Sequence, residues 1–202
     1  PEAYNNLGNA LKANDDLEAA IDSLNKAIEL RPDFFEAHNN LGNALQGNGE
    51  MEAAIGNLNK AIELRPDFFE AYSNLGNALR ANGKMEAAIN NYNQALTIKP
   101  NFAEVHRSLS SIKKYTKEDP HLKQMQNLYL DPTLSDNKRC HLSFALSKAY
   151  EDLTDFSVSF KYLKEGNLLR KKRLKPKIDQ DLKLFSSFKE THKSIVQNTL
   201  KP

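Results

Sequence analysis

Apolar and polar positions in the first half of the chain follow one pattern, and the pattern repeats. Ala3–Glu36 recurs as Ala37–Glu70 and again as Ala71–Glu104, a period of 34 residues. The first two copies match at 26 of 34 positions and the second and third at 20 of 34, so each phase can be followed through the copies. Tyr4, Leu7 and Leu11 stand at i, i+3 and i+7, the spacing of one face of a first helix. Asn14-Asp15, Asn48-Gly49 and Asn82-Gly83 then mark turns, because Asn and Gly tolerate the left-handed conformation that ends a helix. Ala20, Ile21, Leu24, Ala27 and Ile28 form the apolar face of a second helix. Pro32, Pro66 and Pro100 lie past its end, where a missing N–H interrupts no ladder.

Small residues at Gly8, Ala20 and Ala27 recur as Gly42, Ala54 and Ala61, then Gly76, Ala88 and Ala95. They let paired helices approach closely; larger side chains there would overpack the contact by ~1–3 kcal/mol. A single helix pair cannot bury its apolar face, so the units are expected to stack. The expected fold is all-α: a right-handed solenoid with units at 1–34, 35–68 and 69–102. Val105, His106, Leu109 and Ile112 continue the first-helix phase, predicting a further first helix over 105–116 and a repeat segment of 1–116.

The unit resembles the tetratricopeptide repeat: a large aromatic, Leu-Gly, a large apolar residue, a small one, a large one, a small one, then Pro. Two departures stand out, Asp15 where later copies have Gly and His38 where the others have Tyr. The resemblance implies that first helices line a concave surface able to hold a protein or peptide.

With Leu7 and Leu11 turned inward, Asn5, Asn6, Asn9 and Lys12 are expected on the exposed side. The equivalent residues are Asn39, Asn40, Asn43 and Gln46, then Ser73, Asn74, Asn77 and Arg80. Two ladders follow, Asn6–Asn40–Asn74 and Asn9–Asn43–Asn77, continued by Ser108 and Ser111. Asn costs a helix interior roughly 0.5 kcal/mol or more relative to Ala. Its amide carries donors and an acceptor together, so it can pair with both the N–H and the C=O of a guest backbone. The first ladder resembles the asparagine ladder in the repeat arm of O-linked N-acetylglucosamine transferases, which implies peptide-backbone contacts at Asn6, Asn40 and Asn74. A plainer explanation is compositional: Asn also recurs at Asn25, Asn59 and Asn93 on second helices, and duplication would copy it. Glu36, Glu70 and Glu104 read as a solvated face.

From Asp119 onward the period is lost, and 117–202 reads as a degenerate helical region. A short helix is expected over His121–Leu130, a longer one capped by Ser135 or Asp136 and running through Leu153, and a third from Phe156 to about Arg173. Leu142, Ala145, Leu146 and Ala149 should point inward. Phe156, Phe160 and Leu163 share a face of the third helix. Leu146, Ser147, Tyr150, Ser159, Leu163 and Gly166 echo the repeat's large–small pattern. A last helix is predicted over about Ile178–Gln197, striped by Leu182, Phe185, Phe188 and Ile195.

The string His141–Arg170 resembles the linker that follows the repeats in bacterial repeat-containing sulfotransferases. It shares their "FAL-K-ED" and "GN-L-R" helices. That resemblance implies a sulfotransferase parent whose phosphate loop, Pro-Arg-Ser-Gly-Thr, would come downstream. The loop is not in this sequence, so 3'-phosphoadenylyl sulfate is expected only in a following domain and no cofactor in this chain.

Charge divides along the same line as texture. Residues 1–104 carry 8 Lys/Arg against 15 Asp/Glu, and residues 105–202 carry 20 against 11. Arg170, Lys171, Lys172, Arg173, Lys175 and Lys177 concentrate six cations in eight residues. They form a candidate patch for an anionic partner or a solvated helix end favoured by the dipole. Nucleic acid is disfavoured as the partner, because no stacking aromatics alternate with the cations. Adjacent helical positions point about 100° apart, which argues against Cys140 and His141 as a nucleophile–base pair. His38, His106, His121 and His192 lack metal-ligand spacing, so structural roles are expected and neither a metal nor a catalytic group is assigned. Asp15-Asp16 and Glu151-Asp152 read as turn or cap residues. One Cys, the lack of an apolar run of membrane length and the lack of a signal-peptide pattern point to a cytoplasmic protein. The opening Pro, inside a repeat, suggests an excerpt of something longer.

Overall fold

The structure is a computed structural model and describes residues 1–174. The described residues form ten α-helices and no strand. Three helix pairs come first: α1 (Glu2–Ala13) with α2 (Leu17–Leu30), α3 (Phe35–Gly47) with α4 (Met51–Leu64), and α5 (Phe69–Ala81) with α6 (Met85–Ile98). Then follow α7 (Ala103–Ser110), α8 (Pro120–Tyr129), α9 (Asp136–Asp152) and α10 (Phe156–Leu174). The all-α repeat architecture is as the sequence pattern predicts.

Close packing within each pair depends on the small residues. A Cβ at Gly8 would sit 2.6 Å from Leu24 Cγ, one at Gly42 2.6 Å from Leu58 Cγ, and one at Gly76 2.6 Å from Tyr92 Cε1. Ala20, Ala54 and Ala88 are fully buried, as are Leu24, Leu58 and Tyr92. Each pair turns through one left-handed residue: Asp15 (φ 65°), Gly49 (φ 85°) or Gly83 (φ 75°). The residue after it returns a backbone bond to the first helix, Asp16 N–H to Leu11 O, Glu50 to Leu45 and Lys84 to Leu79. The α9–α10 turn has the same form, with Thr154 at φ 59° and Asp155 N–H bonded to Tyr150 O.

First helices touch one another directly, α1 with α3 and α3 with α5, while each second helix packs between its own first helix and the next. First helices therefore line one continuous face. The start of one first helix is joined to the N-cap of the next by edge-on aromatic pairs, Phe35 with Phe68 at 5.0 Å and Phe69 with Phe102 at 5.2 Å between ring centroids. Lys99 lies 3.9 Å above the Phe69 ring and Arg31 3.8 Å above the Phe34 ring.

Two details differ from the sequence expectation. Leu41 and Leu75 are buried as expected, but Leu7 is 47% exposed, because α1 has no preceding second helix against it in the structure. The helix expected over 105–116 stops at Ser110. There the hydroxyls of Ser110 and Ser111 turn back onto the carbonyls of Arg107 and Ser108, and the chain leaves the helix to bury Tyr115. In α10 the shared Phe156–Phe160–Leu163 face is turned to solvent, while Ser159 and Gly166 form the buried side. The core of this region comes from Tyr115, Leu122, Met125, Leu142, Ala145, Leu146 and Ala149, with Ala103 from α7.

Candidate peptide-binding face

The ladder amides lie on the first-helix face, and two of them, Asn40 and Asn74, are hydrogen-bonded across unit junctions. Asn40 Nδ2 donates to Asn5 Oδ1 at 2.8 Å. Asn74 Nδ2 donates to Asn39 Oδ1 at the same distance, and Asn39 Nδ2 reaches Asn40 Oδ1 at 3.4 Å. Asn5, Asn39 and Ser73 are accordingly buried, which corrects the expectation that this phase is exposed. Residues i and i+35 face each other across the junction, and the pairing buries the acceptor amide while the donor stays half-buried. Residue spacing could not reveal this, because the acceptor phase is as Asn-rich as its neighbours.

Asn6 remains exposed, and Asn40 and Asn74 are half-buried. In the second ladder Asn9, Asn43 and Asn77 are half-buried, and Asn77 Oδ1 accepts from the Tyr92 hydroxyl at 2.8 Å. Asn6, Asn9 and Asn43 take no side-chain hydrogen bond from other described residues. At the edge of this face, Arg80 is exposed and directs Nη1 to Ser111 Oγ at 3.4 Å. Lys12 is half-buried, and burial holds its ammonium below the ordinary lysine range. The face thus offers unused amide donors and acceptors in a row, flanked by cations.

A second polar cluster joins the repeats to α8. His106 Nε2 bonds Pro100 O at 2.8 Å, and its Nδ1 meets His121 Nε2 at 2.7 Å. His121 Nδ1 in turn meets the Tyr115 hydroxyl at 2.7 Å. With both imidazoles neutral every group is satisfied: Tyr115 O–H donates to His121, His121 N–H to His106, and His106 N–H to the carbonyl. Burial first, then the proximity of His106 and Lys113, pulls His121 down to about 3, against an opposing pull from Asp119. Burial lowers His106 as well and raises Tyr115. Asp119 caps α8 through the His121 N–H and holds Lys113 at 2.8 Å. His38 is likewise held between Asn57 and Pro32 O.

Other candidates separate. Cys140 is buried with Sγ toward Gly166 O at 3.4 Å, while His141 turns to Glu104, 3.9 Å away. Glu104 also accepts from Asn137, so it bridges to α9 rather than forming a solvated face. Asp16 caps α2. Asp152 does more than end a helix: it accepts the Tyr115 N–H and pairs with Lys148. In the basic run Arg170 and Lys171 are exposed, whereas Lys172 pairs with Asp136 at 2.6 Å and Arg173 with Asn137 at 2.6 Å. Lys175, Lys177 and the helix predicted over 178–197 lie outside the described residues. Among the described residues no cluster of His, Cys, Asp and Glu is arranged to hold a metal, and no helix is long and apolar enough to cross a membrane.

Stacked helix pairs of this length, closed by glycine contacts, define a helical repeat scaffold. The family model described as "TPR repeat" matches residues 8–49, 47–83 and 76–110, which together span just over half of the chain. The chain belongs to the tetratricopeptide repeat family. Among solved structures, MamA is similar at 21% identity and a TM-score of 0.62, covering 84% of this chain and 97% of that one. The first TPR of Spaghetti (RPAP3) bound to HSP90 peptide SRMEEVD is 26% identical, with a TM-score of 0.53 over 55% of this chain and 87% of that one. A Thermobaculum terrenum O-GlcNAc transferase mutant is 26% identical, with a TM-score of 0.57 over 65% of this chain and 26% of that one. No curated protein matches the chain.

Proposed function

We propose that the chain is a non-catalytic scaffold that binds an extended protein or peptide segment on its first-helix face and presents it to a domain downstream. The observation that carries this reading is the row of amides with unused capacity: Asn6, Asn9 and Asn43 free of internal partners, and Asn40 and Asn74 already oriented by their bonds to Asn5 and Asn39. Oriented amides hold a guest backbone at a reduced entropic cost. Lys12 and Arg80 flank the row and favour acidic side chains on the guest. The RPAP3 domain, similar over half of this chain, is bound to a peptide containing two glutamates, which supports the same use here.

The test is a fluorescence-anisotropy titration against an array of labelled acidic and neutral peptides. Asn6→Ala combined with Asn43→Ala leaves the inter-unit bonds intact. It should weaken every bound peptide by about fivefold or more, since loss of a net hydrogen bond costs roughly 1 kcal/mol. Unchanged affinities in a folded variant would overturn the reading.

The downstream domain is proposed to be a sulfotransferase, on the strength of the α9 and α10 sequences, which supply the two linker helices of that family. The phosphate loop and its 3'-phosphoadenylyl sulfate would belong to that domain, and the protein would be bacterial and cytoplasmic. The O-GlcNAc transferase neighbour favours a second reading, a glycosyltransferase arm. The next hundred codons of the reading frame decide between them: a Pro-Arg-Ser-Gly-Thr loop supports the first, and its absence removes it.

A further inference from the structure

We propose that the α9–α10 end of the first-helix face is a pocket for one large apolar side chain of an acidic guest segment. The proposal rests on the reading of that face as a guest-binding surface, and it names what the guest must carry.

α9 and α10 form a helix pair in repeat register, which fixes the side of α9 that joins the face. Ser147 and Ser159 stand in the phases of Gly8 and Ala20. They meet across the pair as those residues do, with their hydroxyls 3.2 Å apart. Left-handed Thr154 stands in the phase of Asp15, and the Asp155 N–H bond to Tyr150 O in the phase of the Asp16 bond to Leu11 O. The same offset puts Phe144, Lys148 and Glu151 in the phases of Asn5, Asn9 and Lys12 on the first helix. α7 packs on α9, and Arg107, also in the phase of Asn5, lies over the Phe144 ring at 4.7 Å. The row of amides thus gives way at this end to an arginine, a phenyl ring and a lysine.

Here the face also deepens. Phe144, Lys148 and Glu151 of α9 and Phe156, Phe160 and Leu163 of α10 enclose a cleft of about 420 Å³. Phe156 is 65% exposed and Phe160 66%, so both rings are accessible to a guest. Asn side chains hold a backbone but give an apolar side chain nothing to bury against; three phenyl rings do. A single apolar anchor in such a pocket carries a large share of binding energy. Charge says what flanks the anchor. Lys148 is paired with Asp152, whereas no carboxylate of the described residues lies within ion-pairing distance of half-buried Arg107. Stacking on a ring leaves the donor edge of a guanidinium open to a carboxylate. Arg80 reaches Ser111, four residues on from Arg107, so two guanidinium groups attend the same stretch of the face.

The experiment is an anisotropy titration with labelled peptides of about 16 residues, roughly 50 Å when extended, composed of Ala, Ser, Asn and Asp. A single Phe replaces Ala at each of its positions in turn. At one register, near one end, Phe should tighten binding by about tenfold or more. Phe160→Ser should abolish that gain without changing the affinity of the Phe-free peptide, and Phe160→Leu should restore most of it. Replacing the Asp beside the Phe by Asn should weaken binding severalfold in the native chain and not in Arg107→Gln. Asn6→Ala with Asn43→Ala should weaken both peptides alike and keep their ratio. Equal affinities at every Phe position, or a gain that survives Phe160→Ser, would overturn the pocket and leave the amide row standing. A gain lost in Phe160→Ser, with no effect of the asparagine variant, would overturn the row and leave the pocket. If no peptide binds, both fall. A markedly lower thermal midpoint in Phe160→Ser would overturn the pocket by showing the cleft filled from within. Dimerisation of the native chain that Phe160→Ser abolishes would overturn it by giving the cleft to a second copy.

Discussion

Asn74 donates its amide hydrogen to Asn39 Oδ1 at 2.8 Å across the junction between the second and third units. The acceptor is buried and the donor is half-buried, so the two residues play different roles although they look alike in sequence. Asn39→Ala should cost about 1–3 kcal/mol, because it strands a partly buried donor. Asn74→Ala strands the buried Asn39 acceptor, so it should cost a similar amount, and under the proposed function it should weaken guest binding as well. Urea midpoints for the two single variants and the double variant give the coupling between them, expected at 0.5 kcal/mol or more.

Gly42→Ala places a methyl group 2.6 Å from Leu58 Cγ. No side chain in that position fits without shifting Leu58, itself fully buried. The expected loss is ~1–3 kcal/mol, seen as a lower thermal midpoint. Gly56→Ala, where a Cβ meets nothing within 4 Å, is the matched control and should be neutral or slightly stabilising.

Asp15 and Thr154 hold left-handed backbone where other turns use Gly. Thr is the more strained of the two, because a branched Cβ tolerates that conformation poorly. Thr154→Gly should raise stability by about 1 kcal/mol and Asp15→Gly by less, with chemical denaturation as the measurement. A fall in stability for Thr154→Gly would contradict the strain.

Stability should decline in mild acid through the His106–His121 pair. An imidazole whose pKa is lower in the fold than in the open chain takes up its proton preferentially in the open chain. For His121 the contribution is therefore whole above the unfolded value of about 6.5 and is lost as pH falls from there toward 3, by up to about 1.4 kcal/mol per pH unit, and His106 acts in the same direction. His106, Tyr115, Lys113 and Asp119 are the groups facing His121. His121→Gln should flatten the dependence of the urea midpoint on pH between 7.5 and 5.

The fold was largely legible because its determinants are local and repeated. A Gly or Ala at a fixed phase, a turn residue and a Pro each act within a few residues of themselves, and three copies average out accidents. What was not legible depends on contacts between units. Nothing in the spacing distinguishes Asn39, which is spent on a neighbour, from Asn40, which is partly free. His106 and His121 are 15 residues apart with a loop between them, so only the path of residues 111–119 brings them together. The early end of α7 has the same origin, since burying Tyr115 outweighs six more residues of helix.

The junction between the second and third units is fastened at two separate points, an amide pair on the first-helix face and a crossed pair of phenyl rings, Phe35 with Phe68, where the chain enters the third unit. Two fasteners resist a hinge that one would permit. The face is thus shaped in advance, and under the proposed function most of the disorder lost on binding would be the guest's own. A partner stiffened in advance, by proline or by a neighbouring fold, should hold on longer than a floppy one with the same contacts.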